Sequence, residues 1–396
     1  MTAHDVHGTV TAGFELVREE FAAILAAEGT DLCAQVAAYH RGQLVVDLWA
    51  GAETTRDSLL GIYSASKGVT HLIVALLVQD GVLDLDQRVS HYWPEFGAEG
   101  KRDLLLRQLL SHQAGVVLLD QPVATEAFYD WDYLCGLLAA QEPLWPPGTA
   151  HGESALFYGH LVGELVRRVD GRGIGRFLRE EICGPHELDF AFGLSPAQQA
   201  RAVDLAGLGD RFEAANAAGR PALYRRAVAN PPGAHDGDVV NSARWRAAEI
   251  PAINGHGTAR AVAGFYQALA AGRLLSVGML AEAIAPQCGG PDQVFGEDNS
   301  WGLGFGIDED GYGMGGLGGN YGGTSTAGGY SVAFVTGTVG THARSEVVEN
   351  ALRDCLGVPP LPGTGTEPQP GTATEQPGTG APHPPGTEPP PGTGAP

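Results

Sequence analysis

The run KGVTHLIVALLVQDG, residues 67–81, constrains this chain more than any other stretch. Its apolar residues go nearly all the way round a helix of 3.6 residues per turn, and a helix without a polar face must be covered on every side. The Asp-Gly pair at 80 and 81 ends it. Layers of structure are therefore needed around this helix, and 396 residues with 43% hydrophobic content can supply them. At its head sits Lys67, one of two lysines with Lys101; the rest of the 24 basic residues are arginine.

Other elements follow from periodicity. FELVREEFAAILAAEG reads as an amphipathic helix, and QVAAYHRGQLVVDLWAG as two strands joined by an Arg-Gly turn. Residues 85 to 260 read as mainly helical with long loops. WGLGFGID, YGMGGLGGN and GGYSVAFVTGT then read as consecutive strands, before a final helix, SEVVENALRDCL. This order predicts an α+β fold: one antiparallel sheet built from both chain ends, flanked by helices, with an inserted mostly helical region. The folded domain is expected over residues 1–357. From Val358 onward the composition turns to repeated Pro-Gly-Thr with almost no large apolar side chain, which predicts a disordered tail over 358–396. A passive tail, a tether, or a ligand for a protein partner would all be compatible with it.

Several classes are excluded or disfavoured. Acidic residues outnumber basic ones 46 to 24, for a net charge of -22, and no basic cluster could track a phosphate backbone, so no nucleic acid is expected as partner. The N-terminus lacks the basic start and apolar stretch of a signal peptide, and no run approaches a membrane span, so no membrane association and a cytoplasmic location are expected. The five cysteines are odd in number and never spaced C-x-x-C; neither a disulfide framework nor a metal site is expected, and no cofactor is called for. GMGGLG, residues 313–318, matches a dinucleotide fingerprint but leads into another Gly-rich strand segment instead of a helix. His112 and His256 are expected in packing roles.

Ser64 precedes Lys67 by three positions, in what reads as the first turn of the buried helix. Residues so spaced share a face, and a neutral amine there can take the proton of the hydroxyl. The exposed N–H of Ser64 could also hold the oxyanion of an attacked carbonyl. With only two lysines, chance gives this S-x-x-K spacing roughly 7% of the time. The plainer alternative makes Ser64 a helix cap and Lys67 a surface side chain reaching for solvent.

YSASKGVT, LDLDQRVSHYWPEF, LLRQLLSHQAGV, PPGT ahead of HGESALFYGHLVGELVRR, and NGHGTARAVAGFY together resemble the serine β-lactamase-like superfamily, and among its members the family VIII carboxylesterases related to class C β-lactamases. The resemblance runs from His7 to about Leu356. It implies acyl-enzyme chemistry with Ser64 as nucleophile and Lys67 as its base or proton relay. Two departures stand out. The tyrosine of the family's second motif falls, counting from PPGT, at Glu153, which either accepts a proton in the phenol's place or sits on a loop facing solvent. A carboxylate beside Lys67 would also favour the charged ammonium. The third motif falls at Met314-Gly315-Gly316, without its cationic or imidazole side chain, leaving Met314, Gly316 and the backbone N–H near Leu317 as candidate substrate contacts. β-Lactamase activity is therefore not expected.

The expected function is serine acyl transfer from a small-molecule ester or other acyl donor. The acceptor is either water, as in a carboxylesterase, or an amine or alcohol, as in the β-lactamase-like transacylases of secondary metabolism and antibiotic biosynthesis. A catalytically impaired binding or scaffold protein is the alternative. Trp131, Trp145 and Tyr158 are candidates either for the pocket wall or for core packing.

Overall fold

The computed structural model describes residues 5–28, 32–51 and 54–362, so the expected tail lies, from residue 363 on, outside the described residues. The elements that position the site are, in chain order, β1 (His7–Val10), α1 (Glu15–Glu28), β2 (Ala34–His40), β3 (Gln43–Ala50), β4 (Leu60–Gly61) and α2 (Ser66–Gln79). The middle of the chain supplies α3 (Tyr158–Asp170), β5 (Phe190–Ala191), α4 (Asp210–Asn216) and α5 (Ala222–Ala229). β6 (His256–Gly257) and α6 (Ala259–Ala270) follow, then β7 (Cys288–Pro291), β8 (Asp298–Trp301) and β9 (Gly306–Ile307). The chain closes with β10 (Gly311–Gly316), β11 (Asn320–Ser325), β12 (Tyr330–Thr336) and α7 (Ala343–Leu356).

Nine strands form one antiparallel sheet in the order β1-β3-β2-β12-β11-β10-β9-β8-β7, and β4, β6 and β5 form a small second sheet. The seam between the chain ends is β2 against β12, in register from Ala34↔Thr336 to His40↔Tyr330. β2 and β3 make the expected hairpin, with positive φ at Arg41 (50°) and Gly42 (85°), the turn geometry that matches strand twist.

Alternation along the central strands divides the core in two. Val36, Ala38, Tyr330, Val332 and Phe334 face Val17, Phe21 and Leu25 of α1 and Val348 and Leu352 of α7. Ala37, Ala333 and Val335 face the larger core that contains α2 and α6. Both faces of these strands are buried, which is why YSVAFV reads as nearly continuous apolar sequence. α2 is buried on all sides, as its composition requires.

β1, β7, β11 and the small sheet were not anticipated. CGGP and NYGGTS carry no alternation of their own, and their neighbours impose their register. Gly322 of β11 shows what the glycines do: a Cβ there would stand 2.5 Å from a Val262 methyl, so its absence lets α6 lie close on the sheet.

Two buried histidines make the fold acid-sensitive. Among the described residues, His71 of α2 and His160 of α3 have no hydrogen-bond partner for either ring nitrogen, and burial pushes both pKa values down to about 3. The unfolded chain takes up these protons near pH 6.5, so the stability they contribute is complete above that pH and is lost as pH falls toward 3. Each histidine adds a slope of about 1.4 kcal/mol per pH unit within that window. His71→Leu is expected to flatten the dependence of urea-unfolding free energy on pH between 6 and 4 by about one proton's worth; an unchanged slope would contradict this.

Candidate active site

Ser64 lies in a single 3-10 turn, Tyr63–Ala65, that runs into α2 at Ser66, so it stands just ahead of the α-helix and not in its first turn. Tyr63 takes φ 46°, uncommon for a bulky residue, and is locked there by its buried ring and by its hydroxyl donating to the Ala234 carbonyl at 2.9 Å. Lys67, in the first turn of α2, is fully buried. Its Nζ donates to Ser64 Oγ at 2.7 Å, to the Ala155 carbonyl at 3.0 Å and to the Ala252 carbonyl at 3.2 Å. Glu153 Oε1 lies 2.9 Å from the same nitrogen. Ser64 makes no capping bond and Lys67 does not reach solvent, so the plainer alternative fails on both counts.

Glu153 is buried, and its carboxylate points at Lys67, not at solvent. The loop that carries it is pinned on two sides. Gly152 N–H donates to the His112 carbonyl and Ser154 N–H to His112 Nδ1 at 3.3 Å. Glu153 N–H donates to Asp292 Oδ2 at 2.9 Å. Asp292 is itself buried and also accepts from the backbone of Val294 and Phe295, tying the second-motif loop to the β7–β8 hairpin. Nothing in the sequence around it marked this aspartate.

Burial is the largest influence on Lys67 and pushes its pKa down; the Glu153 carboxylate pulls the other way and is the weaker effect. Both influences are expected from the sequence, a buried setting favouring the neutral amine and a carboxylate favouring the ammonium; burial is the larger. Burial and the nearby Lys67 charge push His112 down to about 3, so its imidazole is neutral and serves as an acceptor packed between Tyr158 and Trp301. His256 likewise bonds locally, to the Asn254 carbonyl.

The end of β10 forms the wall opposite Ser64. A Cβ on Gly316 would stand 2.3 Å from the Ile62 carbonyl and 3.0 Å from the Ala65 nitrogen, so glycine lets the strand lie directly on the turn that carries Ser64. Met314, Gly316 and Leu317 line the same cleft as Ser64 and Glu153, a space of about 790 Å³ suited to a small organic ligand. The Met314-Gly315-Gly316 stretch has no imidazole of its own, yet one stands beside it: a Cβ on Gly315 would come within 3.0 Å of the His342 ring, presented from the start of α7. Of the aromatic candidates, Tyr158 is buried and donates to the Leu110 carbonyl, and Trp131 donates to Glu164. Trp145 stands behind Gly152. None of the three lines the cleft; Trp301, Tyr224 and Phe295 do. Among the described residues no His, Cys, Asp and Glu cluster fits a metal, and no helix is long and apolar enough to cross a membrane.

A serine held by a buried lysine at the head of a central helix, against the end of an interior strand of the antiparallel sheet, is an arrangement that can support acyl transfer through a serine nucleophile. Comparison with known proteins makes this particular. The model of the family described as Beta-lactamase matches residues 21–354. A solved family VIII carboxylesterase is 32% identical, with 89% of this chain and 100% of that one covered and a TM-score of 0.81. A penicillin-binding protein homologue from Caulobacter crescentus is 33% identical, with 89% and 100% covered and a TM-score of 0.80. The esterase/beta-lactamase LipL of Mycobacterium tuberculosis is 34% identical over 256 residues, 60% of this chain and 58% of LipL, so the chain spans under two thirds of that relative. The chain belongs to the beta-lactamase family, whose fold it shares and whose members are serine hydrolases and acyltransferases.

Gly316→Ala tests the close approach. The methyl group must push β10 away from the Ser64 turn, and activity toward a chromogenic ester is expected to fall at least tenfold while the fold, read by circular dichroism, is kept. Full activity in this variant would show that the strand does not need to lie so close.

Proposed function

We propose that this protein is a cytoplasmic serine acyl-transfer enzyme that takes an acyl group from an ester-type donor onto Ser64 and passes it to water or to an amine or alcohol acceptor. The observation that carries this reading is the unbroken contact series from Ser64 Oγ to Lys67 Nζ to Glu153 Oε1, at 2.7 and 2.9 Å, inside a cleft open to a ligand.

The pair formed by Lys67 and Glu153 is best treated as one titrating unit. A proton passed from the ammonium to the carboxylate leaves a neutral amine, a form that burial favours. The amine takes the Ser64 hydroxyl proton as Oγ attacks the acyl carbonyl. The resulting oxyanion is held by the backbone N–H groups of Ser64 and Leu317. The intermediate collapses by breaking the bond to the leaving alkoxide, which takes back a proton from the pair. In the second half the acceptor gives its proton to the pair, attacks the acyl carbonyl and releases Ser64 Oγ, which is reprotonated.

Glu153 thus does the work of the absent phenol, and because it lines the cleft it can also meet the acceptor. LipL's name, which includes esterase, supports water as one acceptor. The altered second motif supports an amine or alcohol as the other, as a transacylase of secondary metabolism would use. Hydrolysis of β-lactams is no part of the proposal, since the resemblance aligns Met314 with the position of the third motif's cation.

Glu153→Gln keeps size and removes the proton acceptor, and kcat toward a p-nitrophenyl ester is expected to drop by roughly 10²–10⁴. An unchanged kcat would remove Glu153 from the mechanism. A silent wild type beside an active Glu153→Tyr variant would favour the impaired-scaffold reading.

A further inference from the structure

The cleft holds a cation that the sequence motifs did not announce. Arg220, in the link between α4 and α5, lines the same cleft as Ser64. Its guanidinium carbon stands 5.0 Å from the Tyr224 ring centre and 4.9 Å from that of Phe295. The two rings meet edge to face at 5.2 Å. Nε donates to the Asn216 carbonyl at 2.9 Å, while Asn216 also bonds the Tyr224 hydroxyl. Phe295 is in turn held through its N–H by Asp292, the residue that fixes Glu153. The guanidinium is therefore oriented before any ligand arrives, which reduces the entropy lost on binding.

Its charge is only weakly answered. Among the described residues the one carboxylate in reach is Glu297, at 3.4 Å from Nη1 and with a side chain 75% exposed, a geometry that contributes little. Among the described residues Nη2 has no protein partner. The other carboxylate lining the cleft, Glu153, is already paired with Lys67. Two parallel N–H donors on a planar, preset fork match a carboxylate.

We infer that Arg220 is a specificity-determining residue that recognises a carboxylate on one of the two acyl-transfer substrates, away from the reacting carbonyl. This rests on the acyl-transfer reading, and the experiment separates the two. One arm compares p-nitrophenyl hemiglutarate with p-nitrophenyl pentanoate, donors of equal chain length. A second compares β-alanine with propylamine as acceptors for the acyl-enzyme. A third measures glutarate binding by calorimetry, with no turnover required. Wild type is expected to favour the carboxylate-bearing member of one pair by roughly 10–100-fold in kcat/KM or in acceptor partition. Arg220→Gln is expected to bring that ratio toward one and to abolish glutarate binding, with Arg220→Lys between, in variants whose circular dichroism matches wild type. The arm that shows the preference tells whether donor or acceptor carries the charge. Equal preference and equal glutarate binding in wild type and Arg220→Gln would overturn the inference. Glutarate binding lost in Arg220→Gln, with no ester turned over by any form, would leave Arg220 as an anion site and remove the acyl-transfer reading instead.

Discussion

The burial of one ammonium group organises this molecule. A lysine taken out of water costs several kcal/mol unless its donors are met, and the apolar helix it heads offers it nothing. The acceptors come from three other places in the chain: Ser64 from the preceding turn, Glu153 and the Ala155 carbonyl from the second-motif loop, and the Ala252 carbonyl from the loop before β6. Four acceptors for at most three N–H groups leave the charged form crowded, and they keep the neutral amine within reach.

The surrounding structure keeps those segments together. Thr70, one turn along α2, donates to the Pro251 carbonyl, and Ser66 Oγ accepts from Gly255 N–H, so the loop that presents Ala252 is fastened to the same helix that carries Lys67. Asp292 fastens the Glu153 loop to the sheet's edge hairpin, and through Phe295 it reaches the aromatic clamp on Arg220. Glu153 and Arg220 are thereby both tied to one hairpin. Gly316 closes the arrangement by letting β10 lie on the turn that carries Ser64.

The sequence made some of this legible because the signal was local. Burial of α2 followed from apolar residues on every face, and the Ser64–Lys67 pair from a three-residue spacing. The position of Glu153 followed from its distance to PPGT, but its orientation did not, because that depends on an aspartate 139 residues away. The small sheet and the strands β1, β7 and β11 escaped for the same reason: their pairing is set by distant partners and their own residues carry no alternation. Met314-Gly315-Gly316, the stretch that the resemblance aligns with the third motif, lies along the cleft wall. What stands near it, His342 from the start of α7 and Arg220 from the helical insertion elsewhere in the cleft, comes from segments that only the folded chain brings there.

The central claim is that Ser64 carries the acyl group, and intact-protein mass tests it most directly. Wild type and Ser64→Ala are mixed with an activated ester, with and without a nucleophilic amine, and quenched at intervals. The expected result is an increase equal to one acyl group in wild type alone, with water or the amine clearing it and thereby naming the acceptor. An adduct of equal yield in Ser64→Ala, or no adduct with any of several donors, would contradict the account.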